Sequence, residues 1–337
     1  MATLREKAVS IVKTLRKAGY EAYWAGGSVR DLVMGNEPDD YDIATSAPPD
    51  AVMKLFKQTI PVGVSFGVVR VRLDEDEFEV AAFRSDGRYI DGRHPETVTF
   101  SDAREDAKRR DFTINGMFYD PEEEKVIDYV EGQADIKKGV IRAIGDAGKR
   151  FEEDRLRMIR AVRFSARFGF PIEPETEKAL RGLSDKIPSI SGERIRDELE
   201  KMLCGANPAQ AFRLLHKTGI LKVILPEVVA MDGVEQPPQF HPEGDVLTHT
   251  FLLLENLREP SFELALAALL HDIGKPPTFT VSDRIRFNNH CEVGEKMTLA
   301  VCRRLRLSNE QTRVVAELVR DHLRFKDVKQ MRVSTLK

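Results

Sequence analysis

The stretch Ala25-Gly26-Gly27-Ser28-Val29-Arg30-Asp31, followed by Asp39-Asp40-Tyr41-Asp42-Ile43-Ala44-Thr45, decides how this chain is read. An apolar entry, Ala22-Tyr23-Trp24, leads into two glycines and a serine at the start of an apolar-periodic segment. Glycine has no Cβ, so backbone N–H groups there can approach a phosphate closely, and a helix start favours the anion. If Asp40 and Asp42 lie on a strand, the period of two puts both carboxylates on one face. Two carboxylates so placed can hold a pair of Mg²⁺ ions about 3.5–4 Å apart, as in-line phosphoryl transfer requires. Glu79, within Glu77-Phe78-Glu79-Val80, is the expected third ligand from a neighbouring strand. A bland turn accounts for the glycines alone, and a solvated loop for the aspartates alone. Their order and spacing together favour the metal reading.

Outward from this stretch, the first ~20 residues predict an amphipathic helix with Leu4, Ala8, Ile11 and Leu15 on one face and Gly19 as its stop. From Ala22 to about Tyr129, short β-branched runs (Gly67–Leu73, Phe78–Phe83, Val98–Phe100) alternate with turns and short helices, the texture of a small mixed α/β domain. Beyond Asp135 the pattern is helical. One helix is predicted over Phe151–Phe168, stopped by Gly169 and Pro171, with others at Pro174–Leu183, Gly192–Leu203 and Pro208–Thr218. The proline-rich segment Gln236-Pro237-Pro238-Gln239-Phe240-His241-Pro242 is the predicted boundary before a last helical region. The expected domains are therefore 1–138, 139–235 and 236–337.

The 337 residues suffice for two or three cores. No apolar stretch approaches the ~18 residues needed to span a bilayer, and the first twenty residues lack the apolar core of a secretory signal. The expected compartment is the cytoplasm, with no membrane partner. Cys204, Cys291 and Cys302 are too few and too far apart for a disulfide framework or a zinc motif, and read as incidental thiols. A net charge of −3 neither supports nor excludes nucleic acid. The basic residues are local: Lys108-Arg109-Arg110, then Arg155, Arg157, Arg160, Arg163 and Arg167.

Gly-Gly-Ser-Val-Arg-Asp at 26–31 followed by Asp-Tyr-Asp-Ile-Ala-Thr at 40–45 resembles the head of class II tRNA nucleotidyltransferases and bacterial poly(A) polymerases, within the polymerase-β-like superfamily. Arg109-Arg110-Asp111-Phe112-Thr113-Ile114-Asn115-Gly116 is similar to the family's motif for the incoming sugar and triphosphate. Glu153-Asp154-Arg155-Leu156-Arg157 resembles the motif whose Asp and Arg pair with the incoming base. Glu193-Arg194-Ile195-Arg196-Asp197-Glu198-Leu199 resembles the motif that stabilises the neck helices. The resemblance spans about residues 22–230. It implies an α+β fold: a nucleotidyltransferase head with a mixed sheet, then an all-α neck and body. The implied catalytic and Mg²⁺-binding pair is Asp40 and Asp42. The implied nucleotide site is Gly26, Gly27, Ser28, Arg30, Arg110, Asp111, Asn115, Asp154, Arg157, Arg160 and Arg163. On one helix, Asp154 and Arg157 would project from adjacent turns, offering a base-like hydrogen-bonding edge. The implied reaction adds CCA, or the terminal A, to the 3′ end of tRNA from CTP and ATP with release of pyrophosphate.

The polar segment Arg84–Lys108 corresponds to a loop the family needs for adding the final A, and is full length here, which disfavours CC-only addition. Poly(A) synthesis is the alternative, although Pro61–Val69 looks closer to the tRNA enzymes. Five of the seven histidines follow Phe240. His249, and His271-Asp272 at the end of the apolar helix Leu264–Leu270, resemble the first three metal ligands of the HD phosphohydrolase superfamily, with His290 and His322 as further ones. An all-α HD domain with a divalent metal is expected, and phosphoester hydrolysis is a second alternative activity. The family's late Asp ligand is not identifiable, and the chain ends in a helical stretch (Met331–Lys337), so a truncated HD domain is expected. His94 and His216 read as loop and core residues.

Overall fold

A computed structural model of the chain describes residues 2–63, 66–87, 98–237, 239 and 241–324. They form two compact units, Met1–Arg157 with Phe170–Ala179, and Met158–Gly169 with Leu180–Lys337.

In the first unit the elements run α1 (Leu4–Lys17), β1 (Ala22–Ala25), α2 (Gly27–Val33), β2 (Asp42–Thr45), α3 (Pro49–Leu55), β3 (Thr59–Gly63), β4 (Val68–Leu73), β5 (Asp76–Ala82), β6 (Arg84–Asp86), β7 (Val98–Phe100), α4 (Ala103–Arg109), β8 (Phe118–Asp120), β9 (Lys125–Ile127), α5 (Gly132–Lys138) and α6 (Ala147–Glu153). Seven strands make one sheet in the order β3-β4-β5-β2-β1-β8-β9. Every pairing is antiparallel except β2 with β5. This is the mixed sheet expected of the head.

Alternation along the strands separates two faces. One carries Trp24, Ile43, Val69, Val71, Phe78 and Val80, buried under Ile11, Leu15 and Val52 of α1 and α3. The other, next to β1 and β2, carries only small or flat residues: Ala25, Ala44, Phe83 and Phe118, packed by Ala103 and Ala107 of α4. Asp42 shares its parity with Ala44 on this second face. The amphipathic helix predicted at the start is α1, closed by a capping box between Thr3 and Glu6.

One prediction fails. The helix expected over Phe151–Phe168 is two, α6 and then α7 (Leu156–Phe168), interrupted at Asp154 and Arg155. Asp154 is extended (φ −142°), and its Oδ1 accepts the Leu156 N–H at 3.1 Å. An aspartate that caps an orphan N–H competes with continuing the helix through it, and here the cap wins.

The next helix is α8 (Pro174–Leu183), and the second unit continues with α9 (Gly192–Leu203), α10 (Pro208–Lys217), α11 (Ile220–Ile224), α12 (Pro226–Val229), α13 (Val246–Asn256), α14 (Phe262–Leu270), α15 (Lys275–Thr278), the hairpin β10 (Phe279–Val281) and β11 (Ile285–Phe287), α16 (His290–Arg304) and α17 (Asn309–Asp321). Helix α14 is buried from Ala265 to Leu270, and Ser261 caps its start. Its apolar surface on every side marks a central core helix. The turn after it approaches α16 so closely that a Cβ on Gly274 would lie 2.1 Å from the His290 carbonyl oxygen. Among the described residues, no helix is long and apolar enough to cross a membrane. Residues 331–337 lie outside the described residues.

Candidate functional site

In the first unit, β1 ends at Ala25 and Gly26 turns the chain into α2 with φ +70°, a conformation in which a side chain is strained. A Cβ on Gly26 would meet the Arg110 guanidinium at 3.2 Å and the Asp42 carboxylate at 3.8 Å. A backbone turn, a cation and an anion thus converge at one point. Ser28 is buried, and its hydroxyl donates to the Ala25 carbonyl at 3.1 Å. Gly27 starts α2.

Asp42 opens β2, while Asp40 precedes the strand. The alternation still holds: Tyr41 and Ile43 are buried, and Asp40 and Asp42 are exposed. Glu79 is on β5, which pairs with β2 in the register Ile43 to Val80, so it shares the face of Asp42. The Asp42 carboxylate reaches solvent on one side but is crowded by protein on the others. Its withdrawal from water, with the negative charges of Glu79 and Asp40 adding and Arg110 opposing, pushes its pKa up to about 7. Crowded hard oxygen donors in want of a cation fit Mg²⁺. The three carboxylates do not bring three oxygens within 4.8 Å of one another.

Behind this cluster, Arg30 is buried and donates to both Asp31 oxygens at 2.9 Å and to Asn115 Oδ1 at 2.8 Å. Asn115 donates onward to Asp111 Oδ1 at 3.3 Å. Arg30, Asp111 and Asn115 therefore tie the glycine turn to the second motif. Arg110 lies 5.1 Å over the Phe118 ring and is anchored by Asp106 at 2.9 Å. Asp106 also pairs with Arg109 at 2.7 Å. Burial acts to raise the Asp106 pKa, but Arg110 and Arg109 outweigh it and hold the carboxyl below its ordinary range. The sequence reading missed Asp106. The signal was present in its spacing of three and four residues before two arginines on a helix.

Asp154 and Arg157 do not project from one helix as expected, because Asp154 precedes α7. The Arg157 guanidinium is nearly buried, donating to Glu153 at 2.7 Å and to the carbonyls of Arg150 and Arg109 at 3.0 Å. In the second unit, Arg163 and Arg160 are engaged by the buried Glu198 of α9 at 2.6 and 3.9 Å, and Arg163 stacks on Phe164. A structural clamp thus occupies two arginines grouped above with the nucleotide site. Of the segment Arg84–Lys108, residues 88–97, with His94, lie outside the described residues, as do residues 64–65 of Pro61–Val69. His216 is half-exposed, 3.4 Å from Asp232, rather than in the core.

The second unit assembles a histidine cluster at a cavity of about 750 Å³. His249 comes from α13, His271 and Asp272 from the end of α14, His290 from the start of α16 and His322 from the end of α17. The Nδ1 atoms of His271, His290 and His322 lie 2.8, 2.8 and 2.7 Å from the carbonyls of Ala268, Phe287 and Val319, and that of His249 lies 2.6 Å from Glu243. Those oxygens only accept, so each Nδ1 carries a proton and each Nε2 is turned away from these partners. Burial lowers the pKa values of His249 and His322, favouring the neutral form. His249, His271 and Asp272 bring three ligand atoms within 4.8 Å. Asp272 Oδ2 is 2.9 Å from His271 Nε2 and 2.7 Å from Lys275 Nζ. Asp272 Oδ1 is buried with no hydrogen-bond partner. An orphaned carboxylate oxygen facing imidazole nitrogens fits a divalent cation. Glu243 and His241 were not anticipated; both rings share the Glu243 carboxylate, which orients His249.

Comparison with known proteins gives the family. The family model described as the poly A polymerase head domain matches residues 22–142, the probable RNA and SrmB-binding site of polymerase A matches 169–231, and the HD domain matches 245–336. The chain is 42% identical over 237 residues to a CCA-adding enzyme of Lactobacillus johnsonii, covering 70% of this chain and 58% of that protein. It is 47% identical over 216 residues to a CCA-adding enzyme of Geobacillus thermodenitrificans, covering 64% and 53%. The chain thus spans between half and two thirds of the length of these curated relatives. The crystal structure of the Bacillus stearothermophilus CCA-adding enzyme in complex with CTP matches with a TM-score of 0.67 at 32% identity, over 98% of this chain and 80% of that one. By sequence, by fold and by the order of its motifs, the chain belongs to the CCA-adding enzyme family.

Proposed function

We propose that this chain adds nucleotides, CCA or the terminal A, to the 3′ end of tRNA without a nucleic-acid template, taking CTP and ATP and releasing pyrophosphate. The observation that carries this reading is the convergence of Asp42, Arg110 and the Gly26 turn on one point of the sheet. Asp40 and Asp42, with Glu79, would hold Mg²⁺, which supplies charge neutralisation for the attacking hydroxyl and the leaving pyrophosphate. Gly26, Gly27 and Ser28 line the triphosphate side, and Arg110 is placed to balance phosphate charge. Asp154 would offer an acceptor to the incoming base, and Arg157 would become a donor to it by exchanging its partners Glu153 and the carbonyls of Arg150 and Arg109. We divide the chain into a head (1–138), a neck and body (139–235) and an HD domain (236–337), in line with the three family matches. The site of action is the cytoplasm, where tRNA is matured. The test incubates the full chain and Mg²⁺ with tRNA transcripts lacking CCA, lacking only the final A, or complete, each with CTP or ATP, and sequences the products. Growth of the incomplete transcripts supports the reading. Phosphate release without growth refutes it.

A second activity rests on its own observation, the orphaned Asp272 Oδ1 among imidazole nitrogens. We read the HD cluster (His249, His271 and Asp272, with His290 and His322) as a divalent-metal site for phosphoester hydrolysis. Release of p-nitrophenol from bis(p-nitrophenyl) phosphate, lost on His271→Asn and retained on Asp42→Asn, tests it. Poly(A) synthesis has no structural observation in its favour.

A further inference from the structure

Cys291, which reads in the sequence as an incidental thiol, lies at the histidine cluster. Its Sγ is 3.7 Å from His290 Nε2, and His290, Cys291 and His322 bring their three ligand atoms within 4.8 Å of one another. This second group is not the one formed by His249, His271 and Asp272. Asp272, only 1% exposed, turns its unpartnered Oδ1 toward it, 3.8 Å from His290 Nε2 and 3.7 Å from His322 Nε2. For Zn–N near 2.0–2.1 Å and Zn–S near 2.3 Å, a tetrahedral N···S edge is about 3.5 Å, close to the separation observed. The Cys291 thiol lies within hydrogen-bonding distance of His290 Nε2.

We propose that Cys291 is a thiolate ligand at this end of the cluster, completing with His290, His322 and Asp272 a site for a borderline divalent cation such as zinc. On binding, the metal–sulfur bond replaces the S–H bond and the thiol proton leaves to solvent, with no change of oxidation state. Magnesium does not fill this site, because it demands six hard oxygen ligands whereas imidazole and thiolate select softer cations. The inference rests on the reading of the HD cluster as a metal site and adds a ligand and a metal preference to it.

Cobalt(II), a spectroscopic substitute for zinc, separates the two. The full chain is stripped with chelator, saturated with Mg²⁺ so that the head carboxylates are filled, and titrated with Co²⁺. Wild type and the control Cys204→Ser are expected to show visible ligand-field bands and a near-ultraviolet sulfur-to-cobalt charge-transfer band. Cys291→Ser is expected to keep visible bands, lose the charge-transfer band and bind Co²⁺ at least about tenfold more weakly. Visible bands without a charge-transfer band in wild type overturn the thiolate and leave the metal site standing. A band that survives in Cys291→Ser, or that Mg²⁺ abolishes, also overturns it. Absence of any cobalt spectrum overturns the metal site and the thiolate together.

Discussion

At the scale of single residues, Asp106 shows how a buried carboxylate works in the head without touching a substrate. Its two oxygens hold Arg109 and Arg110, and Arg110 in turn faces Asp42 across Gly26. Its pKa is held below the ordinary 3.8 in the fold. A depressed carboxylate contributes stability that is full above its unfolded pKa and is lost as pH falls through the folded value. The thermal midpoint should therefore fall as pH drops below about 4, and Asp106→Asn should flatten that fall while lowering the midpoint at neutral pH. An unaltered pH profile in the variant contradicts the role. Asp154 allows a second separation. Asn caps a helix about as well as Asp but presents an amide donor where the base edge needs an acceptor. Asp154→Asn should leave the thermal midpoint within about a degree and change the ratio of CTP to ATP use by about tenfold or more, a value consistent with one mispaired hydrogen bond of ~1.4 kcal/mol or more. Unchanged nucleotide use with both triphosphates would remove Asp154 from base recognition.

At the scale of elements, the sequence showed most of what periodicity can show. Helices α8 and α9 begin and end at the residues expected from the sequence pattern, and β4, β5 and β7 fall on the β-branched runs. The break before α7 was hidden because apolar spacing continues through it, and only the capping preference of Asp154 reports it. The clamp of Arg163 and Arg160 on Glu198 was also out of reach, since 35 residues separate Arg163 from Glu198 and no local rule pairs them. The motif of α9 matched the family on its letters; the structure supplies its reason. Breaking a buried ion pair from one side costs about 3–5 kcal/mol, so Glu198→Ala should lower the denaturation free energy by that order in urea titrations. A change under about 1 kcal/mol would reduce the clamp to an incidental contact. Gly274 makes the corresponding case in the HD domain. With His290 O only 2.1 Å from where a Cβ would sit, Gly274→Ala must push α16 away or strain the turn. Its expected cost is about 2 kcal/mol or more, read as a lower thermal midpoint together with weaker metal binding.

At the scale of the whole molecule, one chain carries two clusters of candidate metal ligands whose donor atoms differ. The head offers carboxylate oxygens suited to Mg²⁺, and the HD cluster offers imidazoles, one carboxylate and a thiol suited to later transition metals. Asp40 and Asp42 were legible as candidates because their spacing and a family motif both mark them, and Glu79 because it lies on a neighbouring strand run. The thiol was not, because adjacent His290 alone does not mark a site and the other partners are distant in sequence: His322 lies 31 positions on and Asp272 lies across a hairpin. The account stands or falls on Asp42. Asn keeps the shape of the Asp42 side chain and removes a charge that its surroundings disfavour, so Asp42→Asn should fold normally. The decisive measurement is the rate of nucleotide incorporation into a tRNA transcript lacking its 3′ end, by wild type and Asp42→Asn, at saturating Mg²⁺, CTP and ATP. The expected result is a loss of about 10²–10³-fold or more, as for removal of a single group that stabilises transition-state charge, at an unchanged thermal midpoint. Incorporation by the variant within tenfold of wild type would contradict the account.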